Sequence, residues 1–208
     1  MQEVKVYCVN WGDKYSSDYV FKLKRAVNKY LTVPHSFYVY TDSPDRYSFS
    51  IPVKYGLETW WNKLLIFENI GPCLYLDLDV IIHGNINHLL RDSWHMINGF
   101  WKRGPKYILD RPDIGTSYAN SSIMSWTNNK YILDHFMADP EKYIFQYRGD
   151  DRYLHHEHIY ETYEAKDKIY SYKNDRFKYQ PDKSVALFHG KPEITDCLDH
   201  EIVMKHWV

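Results

Sequence analysis

The chain has 208 residues, of which 44% are hydrophobic and 25% are charged, so it can bury a core and fits one domain over residues 1–208. Its 26 Lys and Arg residues nearly balance its 27 Asp and Glu residues, for a formal net charge of -1. This balance excludes recognition of nucleic acid or of a membrane surface through overall charge and leaves open a local basic patch.

The first half of the chain alternates predicted strands and helices. Residues 4–9 alternate and are rich in β-branched side chains, which predicts a strand, and residues 18–30 show helical spacing after a cap at Ser17 or Asp18. The elements predicted next are strands at 36–41 and 51–54, a helix at 59–67 and a buried strand at 73–76. This order predicts an α/β fold with a mostly parallel, mixed central sheet flanked by helices.

Polar residues follow three of these strands. Asn10, Asp42 and Asp77 each stand where a predicted strand ends. Ligands of open α/β sheets bind beyond the carboxyl ends of the strands. We therefore expect these three residues on one rim of a ligand-binding site.

The second half of the chain carries a weaker pattern. Strands are predicted at 96–101, 122–126 and 184–188, and a helix is predicted at 128–137. Residues 141–175 are rich in Tyr, His and charge and predict no element clearly.

The cysteines and the apolar runs indicate the cellular compartment of the protein. Cys8, Cys73 and Cys197 lie far apart without CxxC spacing, which indicates buried, reduced thiols. The first residues lack the basic flank and apolar stretch of a signal peptide, and no segment approaches the ~18 apolar residues that span a bilayer. We expect a cytoplasmic protein with no transmembrane segment.

Two carboxylates interrupt the apolar run at residues 74–82. Asp77 and Asp79, with Leu78 between them, would point to one face of a strand, where like charges repel unless a cation or several donors compensate them. Mg²⁺ or Mn²⁺ bound to a diphosphate meets that need best. The alternative is a strand end whose carboxylates cap loop amides.

A second candidate is His189-Gly190-Lys191-Pro192, which follows an apolar strand. A neutral imidazole can bind a divalent metal, Gly190 permits close approach of a donor to the backbone, and Lys191 offers a charge for a phosphate. In isolation, His189 is better explained as a hydrogen-bonded histidine near a turn, whereas together with the upstream Asp77 and Asp79 the metal role is favoured.

The predicted helix at 59–67 precedes the Asp77 strand. Trp60, Leu64 and Phe67 are expected to face the core, leaving Lys63 near the helix start, where anions bind favourably. An amphipathic helix with one exposed Lys explains the spacing equally well.

Five segments together resemble a known family. They are the WWNKLLIF helix, the LYLDLDVII strand, NSSIMSW, Gly149-Asp150-Asp151 and the late FHGKP. They are similar to small bacterial and viral glycosyltransferases of the glycogenin-like family 8 group, which have the Rossmann-like GT-A fold. The resemblance covers about residues 4–192 and implies a single GT-A domain.

The resemblance implies a role for each matched residue. Asp77 and Asp79 would bind Mn²⁺ or Mg²⁺, and His189 would complete the metal shell. Asp150 and Asp151 match an acidic-Gln pair that binds sugar hydroxyls, although Asp151 stands where the relatives usually have Gln. Donor binding is implied for Val9, Asn10 and Trp11 at the nucleobase, for Lys191 at the diphosphate, for Lys63 near the phosphates or the sugar, and for Asn120, Ser121 and Ser122 along the sugar.

The histidine-rich run at residues 155–158 resembles a second metal site. Its three histidines within four residues do not share one helical face, and HExxH spacing is absent from the sequence. A solvated or acceptor-side loop is the favoured interpretation.

These patterns predict a metal-dependent glycosyltransferase that moves a hexose from a nucleotide-diphosphate sugar, preferably a UDP-sugar, to a hydroxyl acceptor. Retention follows from the resemblance alone, since an inverting enzyme would need a base, for which Asp150 and Asp151 are the candidate catalytic residues. A catalytically inactive nucleotide-sugar or glycan-binding module is one alternative. A sugar nucleotidyltransferase is another, although the loop at residues 10–13 is neither Gly-rich nor basic. The acceptor can be a glycan, a protein or a modified nucleobase.

Overall fold

The computed structural model describes residues 2–99, 101 and 119–208. A seven-stranded sheet lies at its centre. In spatial order its strands are β3 (Ser50–Pro52), β2 (His35–Thr41), β1 (Val4–Asn10), β4 (Cys73–Leu76), β7 (Ala119–Trp126), β6 (His95–Asn98) and β8 (Glu161–Tyr163). The sheet is parallel from β3 to β4 and between β6 and β8, while β7 is antiparallel to both of its neighbours. This arrangement confirms the predicted mostly parallel, mixed sheet.

A second sheet of three strands begins directly after the two carboxylates at Asp77 and Asp79. Its central strand β10 (Val185–Leu187) is antiparallel to β5 (Val80–Ile82) and parallel to β9 (Ile169–Ser171). The Asp77-Leu78-Asp79 segment therefore connects the two sheets at the carboxyl end of β4.

Helices cover both faces of the large sheet. The α-helices among the described residues are α1 (Ser17–Tyr30), α2 (Lys130–Ala138), α3 (Pro140–Gln146), α4 (Asp150–Glu157) and α5 (Glu201–His206). The longest of the 3-10 helices in the described residues spans Thr59–Glu68, and the others are Pro44–Arg46, Asn87–Leu89, Ala165–Asp167 and Ile194–Cys197. In the part of the chain that the structure describes, no helix is long and apolar enough to cross a membrane.

Two hydrophobic clusters sandwich the large sheet because side chains alternate along each strand. In β1, Val6 and Cys8 pack on the face covered by α1, α5 and the small sheet, whereas Tyr7 packs on the opposite face. That opposite face is covered by the Thr59–Glu68 helix and by α2, α3 and α4. The three cysteines are free and buried, as the sequence indicated.

The predicted elements of the first half are present with small shifts at their ends. Helix α1 begins at Ser17, after a cap position at Ser16. In the second half, β7 begins at Ala119, before the predicted residue 122, and the strand predicted at 96–101 ends at Asn98. Residue 100 of that prediction lies outside the described residues.

The orientation predicted for the 59–67 helix is right for Leu64 and Phe67, which are buried, and wrong for Trp60. Residues 61–67 are all buried, Lys63 among them, while Trp60 is 50% exposed. The segment is a 3-10 helix with three residues per turn, so a pattern drawn at 3.6 residues per turn assigns its faces incorrectly.

Replacing His83 with Leu is expected to flatten the dependence of stability on pH below neutrality. His83 is buried against Tyr170, Tyr179 and His206, and neither ring nitrogen has a hydrogen-bond partner among the described residues. Burial lowers its pKa to about 4, whereas a His in the unfolded chain titrates near 6.5. As pH falls from about 6.5 to about 4, the unfolded chain therefore binds a proton at His83 that the folded protein does not bind.

The wild-type protein should lose on the order of 2 kcal/mol of unfolding free energy through His83 over that interval, and the Leu variant should not. Urea denaturation of both proteins at about pH 7, 5.5 and 4 measures the difference. A difference that stays constant with pH would contradict the prediction.

Candidate functional site

A cavity of about 320 Å³ opens at the carboxyl ends of β1 and β4. Because these strands are parallel neighbours, the loops that follow them meet at one edge of the sheet. The cavity brings together six residues that the sequence singled out, namely Val9, Trp11, Lys63, Asp77, Leu78 and Asp79. Its volume is in the range of small-molecule sites in proteins.

Hydroxyl and ammonium donors hold the carboxylate of Asp77. Its Oδ1 accepts a hydrogen bond from Tyr75 Oη at 2.6 Å and lies 3.1 Å from Lys63 Nζ. Its backbone N–H donates to the carbonyl of Ser122 at 2.9 Å. Asp77 is therefore fixed both through its backbone and through its side chain.

Asp79 is compensated less fully. Its Oδ2 accepts a hydrogen bond from Tyr15 Oη at 3.2 Å. Burial, and then the negative charge of Asp77, raise the pKa of Asp79 to about 6. Asp79 is partly buried and lies next to another carboxylate, and a cation is stabilising in such a setting.

Lys63 is the buried centre of the site. Its Nζ lies 3.2 Å from Asp150 Oδ2 and 2.8 Å from Ser121 Oγ, in addition to its contact with Asp77. Burial lowers the pKa of Lys63, but Asp150 and Asp77 outweigh it and keep the pKa above its ordinary value. Since an ammonium has three N–H groups, these three acceptors can use all of them.

Asp150 reaches the site from the first residue of α4. Its carboxylate is buried, accepts a hydrogen bond from Ser121 Oγ and forms an ion pair with the ammonium of Lys63. Burial raises its pKa, and Lys63 opposes that rise. The structure thus assembles Lys63, Ser121 and Asp150, whereas Asn120 and Ser122 make a local contact in which the Asn120 Oδ1 accepts the Ser122 N–H.

Asn10, expected at the nucleobase, and Asp42, expected on the same rim, make contacts beyond β1 and β2 and do not line the described cavity. Asn10 donates from Nδ2 to Tyr47 Oη at 2.8 Å, and its buried Oδ1 has no partner among the described residues. Asp42 accepts the Gly12 N–H at 3.0 Å, where the φ of Gly12 is +67°. Asp42 therefore stabilises the loop after β1, and glycine supplies the left-handed backbone that the loop needs.

The late motif reaches the same edge through its backbone. Strand β10 lies beside β5, and the Phe188 N–H donates to the carbonyl of Asp79 at 2.9 Å. The His189 ring, however, shares a 2.6 Å hydrogen bond with Ser171 Oγ and stacks on Trp101. Gly190 has a φ of +71°, and Lys191 is 76% exposed and pairs with Glu193 and Asp196.

A three-ligand metal shell is not assembled in the described residues, where no three His, Cys, Asp or Glu side chains lie close enough to hold a metal ion. The donor set nevertheless fits a divalent metal. Two carboxylates and an imidazole belong to adjoining backbone segments, and Asp79 lacks full compensation. The metal ligands Asp77, Asp79 and His189 therefore stay a prediction.

The histidine run at 155–158 lies in the last turn of α4 and just beyond it, among tyrosines. His155 bonds to Tyr160 Oη at 2.6 Å, and His158 bonds to Tyr153 Oη at 3.1 Å. Burial lowers the pKa of His158 to about 4. These contacts give the run a packing role, and none of its residues lines the described cavity.

The sequence missed the tyrosines that donate to the carboxylates. Tyr75 stands two residues before Asp77, so strand alternation places both on one face and could have found it. Tyr15 follows the first loop and carries no comparable signal, because its contact with Asp79 joins residues far apart in the chain.

No family model matches the chain, and no curated protein matches it. The galactosyltransferase LgtC, solved with donor and acceptor sugar analogs, superposes with a TM-score of 0.67 at 16% identity, over 96% of this chain and 93% of that one. The chain has the fold of that glycosyltransferase. The predicted GT-A architecture is thereby confirmed.

Two further structures share this fold. An active-site mutant of LgtC has a TM-score of 0.64 at 15% identity, over 91% of this chain and 89% of that one. The glycosyltransferase GlyE of Streptococcus pneumoniae TIGR4 has a TM-score of 0.63 at 14% identity. That match covers 93% of this chain and 56% of GlyE, so this chain spans about half of the larger protein.

Proposed function

We propose that this chain is a metal-dependent glycosyltransferase that transfers a hexose from a UDP-sugar to a hydroxyl acceptor with retention at the anomeric carbon. The observation that carries the proposal is the cavity lined by Asp77, Asp79 and Lys63 at the carboxyl edge of a GT-A sheet. In the reaction, the acceptor oxygen bonds to the anomeric carbon and the bond from that carbon to the diphosphate breaks. The diphosphate oxygen takes the electron pair of the broken bond, the acceptor oxygen gives up its proton, and the products are a glycoside, UDP and a proton.

Asp77, Asp79 and His189 would hold Mn²⁺ or Mg²⁺. When bound there, the metal supplies positive charge that stabilises the leaving diphosphate. Tyr75 and Tyr15 donate to the two carboxylates and restrict their rotation. The side chains are thereby oriented before a ligand arrives, which lowers the entropic cost of binding it.

The donor would lie along the cavity, from the loop after β1 to the start of α4. Lys63 holds Asp150 and Ser121 in one buried group, so their remaining polar atoms are positioned for sugar hydroxyls. The Oδ2 atom of Asp150 is already engaged by the ammonium of Lys63 and the hydroxyl of Ser121, and retention is proposed from the family resemblance. The proposal also includes donor contacts by six further residues, namely Val9, Trp11, Leu78, Asp151, Gly190 and Lys191.

Thermal unfolding in the presence of nucleotides tests the donor site. We expect UDP or one UDP-sugar, with Mn²⁺ and at about 100 times its Kd, to stabilise the protein by about 2.7 kcal/mol. That corresponds to a rise in Tm of about 5 to 10 °C for a domain of this size. The controls are ADP, GDP and the same mixtures with EDTA.

Donor hydrolysis without an acceptor distinguishes an enzyme from a binding module. Slow, Mn²⁺-dependent release of UDP from the stabilising sugar nucleotide supports the transferase. A Tm shift without any UDP release supports a nucleotide-sugar-binding module instead. A folded protein whose Tm responds to no nucleotide in excess Mn²⁺ would contradict the donor site altogether.

A further inference from the structure

The imidazole of His189 is held by contacts at one ring nitrogen and on one ring face. Ser171 ends β9 and is 1% exposed, and its Oγ lies 2.6 Å from His189 Nε2. The two residues meet because Ser171 pairs with Leu187 in the parallel register of β9 and β10, and His189 follows two residues later. Trp101 stacks on the ring with an interplanar angle of 11°. Both contacts restrict rotation of the His189 side chain.

Asn174 determines the direction of the hydrogen bond between Ser171 and His189. Its Nδ2 donates to Ser171 Oγ at 2.9 Å, and its backbone N–H donates to the same oxygen at 3.3 Å. A hydroxyl has one hydrogen and two lone pairs. Since the two N–H groups of Asn174 occupy both lone pairs, the hydroxyl hydrogen of Ser171 is left for His189. Nε2 is therefore the acceptor, and the neutral ring carries its proton on Nδ1.

This hydrogen-bond arrangement opposes coordination of a metal by His189. An imidazole binds a metal through a nitrogen lone pair, and the Nε2 lone pair is already used by Ser171. Coordination through Nδ1 would move the proton to Nε2, where it would meet an oxygen whose lone pairs Asn174 already occupies. A histidine that binds a metal usually donates its other N–H to a neighbouring acceptor, whereas Ser171 is a donor here.

We propose that Ser171 is a positioning residue that holds the His189 ring in the observed orientation, so that binding of a divalent metal has to displace the Ser171 hydroxyl. The inference rests on the proposed function, in which His189 joins Asp77 and Asp79 as a metal ligand. It accounts for a structural observation within the described residues, where these three side chains are not assembled although the Phe188 N–H bonds to the carbonyl of Asp79. Ser171 thereby lowers the affinity of the site for the metal.

Ser171→Ala removes the competing donor, and Ser171→Thr keeps a hydroxyl at the same position. Ser184→Ala is the matched control, because Ser184 is 3% exposed and lies at the opposite end of β10 from His189. Electron paramagnetic resonance of free Mn²⁺ in the presence of UDP measures metal affinity without turnover. Long-range ¹H–¹⁵N NMR of metal-free protein with ¹⁵N-labelled histidine, at about pH 8, shows which ring nitrogen carries the proton. A His189→Gln variant assigns the signals.

We expect the proton of His189 on Nδ1 in the wild type, and about fivefold tighter Mn²⁺ binding by Ser171→Ala, the size of effect that one neutral hydrogen bond has. Ser171→Thr and Ser184→Ala should bind Mn²⁺ as the wild type does. A proton on Nε2 in the wild type would overturn the proposal, as would equal or weaker Mn²⁺ binding by Ser171→Ala. Mn²⁺ binding by neither the wild type nor Ser171→Ala contradicts the proposed function separately, while the NMR spectrum still decides the direction of the hydrogen bond.

Discussion

A Lys63→Met variant is expected to lose about 3 to 5 kcal/mol of unfolding free energy and nearly all donor turnover. Methionine fills a similar volume but leaves the buried Asp150 and its neighbour Asp77 without the ammonium that both contact. Two carboxylates of like charge then share a space with little water. Urea denaturation at neutral pH measures the loss.

The matched control is Lys54→Met. Lys54 pairs with Glu68 at 3.2 Å, but its side chain is 49% exposed, so its loss should cost less than about 1 kcal/mol. Adding Asp150→Asn to Lys63→Met should recover part of the lost stability, because it removes one of the uncompensated charges. Equal stabilities of the Lys63 and Lys54 variants would show that the buried cluster does not depend on the ammonium.

An Asp79→Asn variant is expected to gain stability without metal and to lose metal-dependent donor binding by roughly 100-fold or more. The pKa of Asp79 is raised to about 6 in the fold, so the protonated carboxyl is favoured there. That contribution to stability is fully present below the unfolded pKa near 3.9 and is lost as pH rises through about 6. Asparagine removes the cost of ionisation, on the order of 2 kcal/mol at neutral pH.

Thermal unfolding in EDTA from about pH 4.5 to 8 checks the first half of this prediction. The Asn variant should exceed the wild type above pH 6 and approach it at the acidic end. Asp199→Asn is the control, since that side chain is 91% exposed. With Mn²⁺ and UDP the wild type should become more stable than the Asn variant. A wild type that is already more stable than the variant in EDTA at pH 8 would contradict the prediction.

Much of the fold could be predicted because it depends on local pattern. The alternation in residues 4–9, the helical spacing of Val20, Leu23 and Val27, and the apolar run before Asp77 each predict one element. The structure has strand β1, helix α1 and strand β4 at these positions. The orientation of Trp60 in the 59–67 segment was predicted wrongly because a 3-10 helix that is buried on nearly every side has no amphipathic period to detect.

The candidate site could be predicted in part for the same reason. Asp77 and Asp79 interrupt an apolar strand, and strand order alone places them at a ligand-binding edge. The resemblance named Lys63, Ser121 and Asp150, but their contacts with one another could not be predicted, because Ser121 and Asp150 approach Lys63 from β7 and α4. The contact between His189 and Ser171 likewise depends on how β9 and β10 pair.

The sequence by itself determined that this protein has an α/β domain with a pair of carboxylates beyond a buried strand, because periodicity and the cost of burying charge act on neighbouring residues. Only the tertiary structure decided which cation compensates those carboxylates, that Lys63 is enclosed and that Trp60 is exposed beside the cavity. These features are set by contacts between segments distant in the chain, whose energies depend on distance and burial rather than on spacing in the sequence.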